Sequence, residues 1–178
     1  MQARHKGLVI ALVAMVLLFG IGGWFGFRTG SVEPRTHVMA FDTTTIVLIE
    51  FVDFPDRRNN VQLLRIDAGW ERITERSFDL SPAEQAGRLL ARFQLLPVKR
   101  DMGMIGLLGE RYDLTPSTWS RISFIQADGI THSLYMGSTT FAPGKVGAWT
   151  YVNIPDDKVV YAVEGLLTAD LRPGVEIP

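Results

Sequence analysis

The chain of 178 residues contains no cysteine. Disulfides, thiolate metal sites and cysteine nucleophiles are therefore excluded. Histidine is nearly as scarce: His5, His37 and His132 are the whole complement, and no two stand at ligand spacing, which excludes a histidine-rich metal centre. An excess of basic charge is missing too. There are 18 lysines and arginines against 19 aspartates and glutamates, and setting aside Arg4 and Lys6 leaves 16 against 19. Nothing in that balance offers a field for nucleic acid. No Gly-x-Ser-x-Gly elbow is present. The glycine-rich run at 103–109 lacks both the Lys-Ser/Thr of a phosphate-binding loop and the preceding strand of a dinucleotide fold. No cofactor and no catalytic constellation is expected.

What the sequence does contain is one long stretch without charge. Residues 7–27 run GLVIALVAMVLLFGIGGWFGF, 21 positions with no charged or amide side chain. At a helical rise of about 1.5 Å per residue that length matches the roughly 30 Å of a bilayer core. The run is longer than the apolar core of a signal peptide, and neither Gly23 nor Gly26 has a small residue at the right distance before it, so an uncleaved anchor is expected. The short basic start at Arg4, His5 and Lys6 implies a cytoplasmic N-terminus over residues 1–6. The remainder would then lie outside the cytoplasmic (inner) membrane, as a single-pass protein. Gly22 and Gly26 form a small-xxx-small pair that could admit a second helix.

After the anchor, 28–42 reads as a juxtamembrane linker, 43–171 as one domain and 172–178 as a tail. The fold class expected is α+β: antiparallel hairpins and a meander packed against one amphipathic helix. Strand signals run over 43–51, 61–66 and 70–74, separated by the turn-rich DFPDRRNN and by Asp67-Ala68-Gly69. Ser81-Pro82-Ala83-Glu84 is a helix start, with Ser81 as N-cap, Pro82 at the first position and Glu84 placed for a capping box. Ala86, Leu89, Leu90, Phe93 and Leu96 recur at helical spacing until Pro97. The run 98–114 fits neither template. Strands return at 119–126 and 130–136 around Asp128-Gly129, a strong hairpin signal, followed by a loop over 137–147. A further hairpin spans 149–154 and 158–163 across Pro155-Asp156-Asp157, and 164–171 is expected to close the domain as a short helix.

The order of these pieces resembles a bacterial family, domain of unknown function 4340. The residues that carry the likeness are Gly69-Trp70, the helix from Ser81 to Leu90, and Tyr112-Asp113-Leu114-Thr115-Pro116. After them come Asp128-Gly129, Leu134-Tyr135-Met136-Gly137, Tyr151-Val152 and Val159-Val160-Tyr161-Ala162-Val163. Asp113 stands where that family has glycine; aspartate tolerates left-handed backbone better than most residues, so the turn is expected to persist. The resemblance implies a single-pass envelope protein associated with gliding-motility-type ABC transport systems, with a transporter permease as partner. It implies no catalytic residues.

The candidate contact surface is Met102, Met104, Ile105, Leu107 and Leu108, apolar and adaptable side chains around three glycines. Either they pack as a core or membrane-facing connection, or they dock a partner or lipid. Two function classes follow: a non-enzymatic accessory or scaffold subunit of an envelope complex, or a lipid- or glycan-binding module that uses this stretch or Trp119 and Trp149. A hydrolase is the weakest reading. It would need His132 with Asp128 and Ser133 or Ser120, or carboxylate pairs such as Glu71 with Glu75 and Glu50 with Asp53. Asp156-Asp157 reads as a solvated turn rather than a metal site.

Overall fold

Alternation in the strands and 3.6-residue periodicity in the helix place their apolar faces against each other. The computed structural model describes residues 35–74, 79–141, 147–168 and Leu171. Strand β1 (His37–Ala40) precedes a meander of β2 (Ile46–Asp53), β3 (Val61–Ile66) and β4 (Gly69–Arg72). Helix α1 (Pro82–Phe93) leads into β5 (Leu95–Pro97), β6 (Arg100–Met104) and the single turn α2 (Ile105–Leu108). Two long hairpins follow, β7 (Ser120–Gln126) with β8 (Thr131–Phe141) and β9 (Ala148–Asn153) with β10 (Val159–Glu164). Eight strands join in one sheet of order β4-β3-β2-β7-β8-β9-β10-β6, every neighbour antiparallel. The short strands β1 and β5 pair separately.

One face of the sheet carries the main core. Ile49, Phe51, Leu63, Ile122, Phe124, Leu134, Met136 and Val152 point to it in strict alternation and are fully buried. Ala86, Leu89 and Phe93 of α1 cover them, with Val38 and Met39 of β1 and Leu96 of β5 beside the helix. Phe93 and Phe124 meet at 5.5 Å between ring centres. Burying a side chain of this size contributes about 1.5–3 kcal/mol before entropy, so this cluster outweighs any single polar contact.

The helix begins as its sequence dictates. The Ser81 hydroxyl accepts from the Glu84 amide, while the Glu84 carboxylate accepts from the Ser81 amide, with Pro82 opening the first turn. It stops earlier than its apolar spacing suggests. Leu96 belongs to β5, because the residue before a proline is driven to extended backbone, and Leu96 reaches the core from a strand paired with β1.

Several expectations are corrected. The fold class is mostly β rather than α+β: 48% of the described residues lie in strands and 17% in helices. The linker expected over 28–42 contains β1, whose Val38 and Met39 are core residues. The loop expected from Gly137 is instead the second half of β8, which continues to Phe141 through a register shift between Met136 and Thr139. The closing helix over 164–171 does not form in the described part. Gly165 sits at φ +104°, and Leu167 and Leu171 enter the core from turns. The Thr150 hydroxyl secures that segment, donating to the Gly165 carbonyl at 2.6 Å and accepting from the Leu167 amide.

The expected membrane-spanning stretch 7–27, with Gly22 and Gly26, lies outside the described residues. Among the described residues no helix is long and apolar enough to cross a membrane. The longest of these described helices, α1, has 12 residues. The single-pass placement in the cytoplasmic membrane therefore has no described helix to carry it and is set aside.

Candidate functional site

The Met/Gly-rich segment divides by where its side chains end. β6 pairs along β10 at the edge of the sheet, and the chain then turns through α2 onto the face opposite the main core. There Met102, Ile105 and Leu108 pack against a second, smaller cluster of Tyr112, Leu114 and Val160. Met104 and Leu107 stay outside, 54% and 85% exposed. The five candidate residues thus do not form one surface. Three are partly buried against that cluster and two are exposed at a corner.

Aromatic rings complete this second layer. Tyr112 stacks on Tyr151 at 3.9 Å, and Trp119 stacks on Tyr135 at 3.9 Å with Phe54 edge-on. One face of the Trp119 ring is therefore occupied within the protein, while Trp149 is partly buried in β9. Asp113 adopts the left-handed conformation, φ 55°, as expected of the residue after Tyr112. The Tyr112–Leu114 segment crosses so close to the sheet that Gly137 has no room for a side chain.

The residues considered for hydrolysis are not brought together. His132 and Ser133 are neighbours in β8 and face opposite sides of the sheet. The His132 ring contacts Gln126 and lies beside Phe41, while the Ser133 hydroxyl is bonded to Ser123. Ser120 donates to buried Asp53, and Asp128 accepts the Ile130 amide within its turn. Glu50 points away from Asp53 and accepts from Arg121 at 2.8 Å and from Gln62 at 2.9 Å. Glu71 lies on β4, and Glu75 lies outside the described residues. Among the described residues no group of three or more His, Asp or Glu could hold a metal ion.

A cleft of about 570 Å³ opens where β9 separates from β8. Residues 38–40 of β1, 131–133 of β8 and 154–156 line it, with Arg35 and His37. Pro155 accounts for the opening. The register that sets Asn153 opposite Tyr135 would set Pro155 opposite Ser133, and proline has no N–H to continue the ladder. Asp156, at φ 66°, then turns the chain away. Reading the sequence alone missed this cleft. The signal present was Pro155 directly after an alternating run, but nothing local places β1 beside it.

A polar tie holds one rim. Asp157 accepts from the Val159 amide at 3.1 Å and from the Tyr161 hydroxyl at 3.0 Å, and forms an ion pair with Arg35 at 3.4 Å. Asp156 and Asp157 therefore act as a turn with a structural carboxylate. Burial, reinforced by the bond to anionic Asp157, pushes the Tyr161 hydroxyl from 10.0 up to about 12. Because the folded state holds this proton more tightly, the stability it contributes is complete below about pH 10 and is lost as pH rises towards about 12. Urea unfolding across that window should show a steeper alkaline loss in the native chain than in Tyr161→Phe. Equal slopes would mean that Tyr161 ionises freely.

Compared with known proteins, the chain matches no family model, no curated protein and no solved structure. The likeness to domain of unknown function 4340 thus rests on the quoted residues and their order.

Proposed function

We propose that the domain is a non-catalytic accessory subunit of a larger assembly, and that the cleft between β1, the start of β8 and residues 154–156 is where it holds its partner. The observation that carries this reading is the construction of the cleft: its walls are strand ends, and its lining arginine, Arg35, is held in an ion pair with Asp157. His132 faces Phe41 and Gln126, Arg35 is tied to Asp157, and the hydroxyl beside the His37 ring, at 3.0 Å, belongs to its exposed chain neighbour Thr36. Walls of this kind suit a binding surface. A lipid or glycan module is less well supported, since Met102, Ile105 and Leu108 are partly buried against the second cluster and one face of Trp119 is covered by Tyr135.

Site-specific photocrosslinking in cells tests the proposal. A photoreactive residue at Thr131 should label a defined neighbour that a probe at Arg88, on the exposed face of α1, does not. Filling the cleft with Ala40→Trp should abolish that label without shifting the melting temperature. Labelling from Thr131 that survives Ala40→Trp, or that matches the label from Arg88, would remove the cleft as the working surface.

A further inference from the structure

We infer that the cleft takes an extended segment of a partner protein, which adds as a strand to the free edge of β8 at Thr131–Ser133 with apolar side chains turned toward β1. This rests on the proposed binding role of the same cleft.

The backbone register dictates the edge. The Gln126 amide donates to the Ile130 carbonyl at 2.9 Å and closes the β7–β8 hairpin. In an antiparallel pair, hydrogen-bonded and non-hydrogen-bonded positions then alternate. Phe124 with His132 and Ile122 with Leu134 are the bonded pairs, whereas Ile125 with Thr131 and Ser123 with Ser133 are not. The amide and carbonyl groups of Thr131 and Ser133 accordingly point away from β7, toward the side that β9 occupies farther along. β9 reaches only to Asn153, opposite Tyr135. Among the described residues no strand pairs with Thr131 or Ser133 on that side. Two donors and two acceptors thus face the cleft at strand spacing, along about 10 Å of edge.

Only an extended backbone meets a row of groups at that spacing, and strand addition is the recognised way for a peptide to use one. The same geometry sets the side-chain pattern of the guest. A residue opposite Ser133 projects to the polar outer face, where Ser133 and Ser123 are bonded to each other. The residue opposite His132 projects to the core side, toward Val38, Met39 and partly buried Ile154. The matching segment therefore alternates polar and apolar, with small to medium apolar side chains inward. A free carbohydrate or nucleotide has no such repeat.

Panning a displayed library of peptides about nine residues long on the full chain tests the inference. Binders are expected to alternate polar and apolar, and to slow hydrogen exchange at the Thr131 and Ser133 amides. Ser133→Pro, which removes the edge donor and leaves the bonds of His132 and Leu134 to β7 intact, should weaken them by at least about tenfold. Ser133→Ala, which alters only the outward hydroxyl, should bind like the native chain. No binder, unchanged exchange at Thr131 and Ser133, or equal affinity for Ser133→Pro would each overturn strand addition. Because exchange is read on the native chain, a poorly folded variant cannot mask the answer. If strand addition fails while the Thr131 crosslink still depends on an open cleft, the binding role stands and only its occupant is wrong.

Discussion

Alanine at Gly137 is expected to lower the stability of the domain by about 3 kcal/mol, at the upper end of the cost of overpacking a filled site. A Cβ placed there would lie 1.9 Å from the Tyr112 carbonyl oxygen and 2.9 Å from the Leu114 side chain. The first of these is backbone, which cannot rotate away. Relief requires lifting the 112–114 segment from the sheet, and that segment brings Tyr112 and Leu114 into the second core and Tyr112 onto Tyr151. The loss should therefore appear together with faster hydrogen exchange around Tyr112 and Tyr151, while α1 stays protected. Gly87→Ala is the matched control. It lies in α1 with nothing within 4 Å of the added atom, so it should stabilise by about 1 kcal/mol through helix propensity. Urea unfolding of the two variants measures both. A Gly137→Ala chain as stable as the native one would mean that the crossing segment moves freely.

Truncating Phe93 to alanine should cost about 3–5 kcal/mol, the range for removing a buried aromatic and leaving a cavity. Phe93 is fully buried in the last turn of α1, and its ring meets Phe124 of β7, which in turn meets Phe41 at 4.6 Å. The cavity would open where the helix, β1 and the middle of the sheet converge. Domains of this size are stable by about 5–15 kcal/mol, so the variant should be partly unfolded at 37 °C or melt far below the native chain. Phe93→Leu keeps most of the volume and should recover the larger part of the loss. If Phe93→Ala unfolds at the native urea midpoint, α1 does not contribute the core contacts assigned to it.

The two substitutions differ in how far the sequence reveals them. Phe93 belongs to a run of Ala86, Leu89, Leu90 and Phe93 whose spacing marks a buried helical face. Gly137 stands in an alternating strand next to Met136 and gives no local sign that another segment passes over it. The candidate site divides in the same way. Asp128-Gly129 and Pro155-Asp156-Asp157 announce their turns, and Asp113 its left-handed backbone. The cleft remains hidden, because one wall is β1, a four-residue strand inside a segment with no sustained periodicity.

The sequence by itself determined the elements whose signals are local: the capped start of α1, the strands of the meander and of both hairpins, and the absence of any thiol or histidine-cluster chemistry. Propensity, capping and alternation act over a few residues, so they can be read in a few residues. Tertiary structure decided which of these elements meet. It drew Leu96 into a strand by giving it β1 as partner. It packed Met102, Ile105 and Leu108, partly buried, against a second cluster while leaving Met104 and Leu107 in water, and it left the Thr131–Ser133 edge facing a cleft. Those outcomes depend on contacts between residues far apart in the chain, and no short window of sequence contains both members of such a contact.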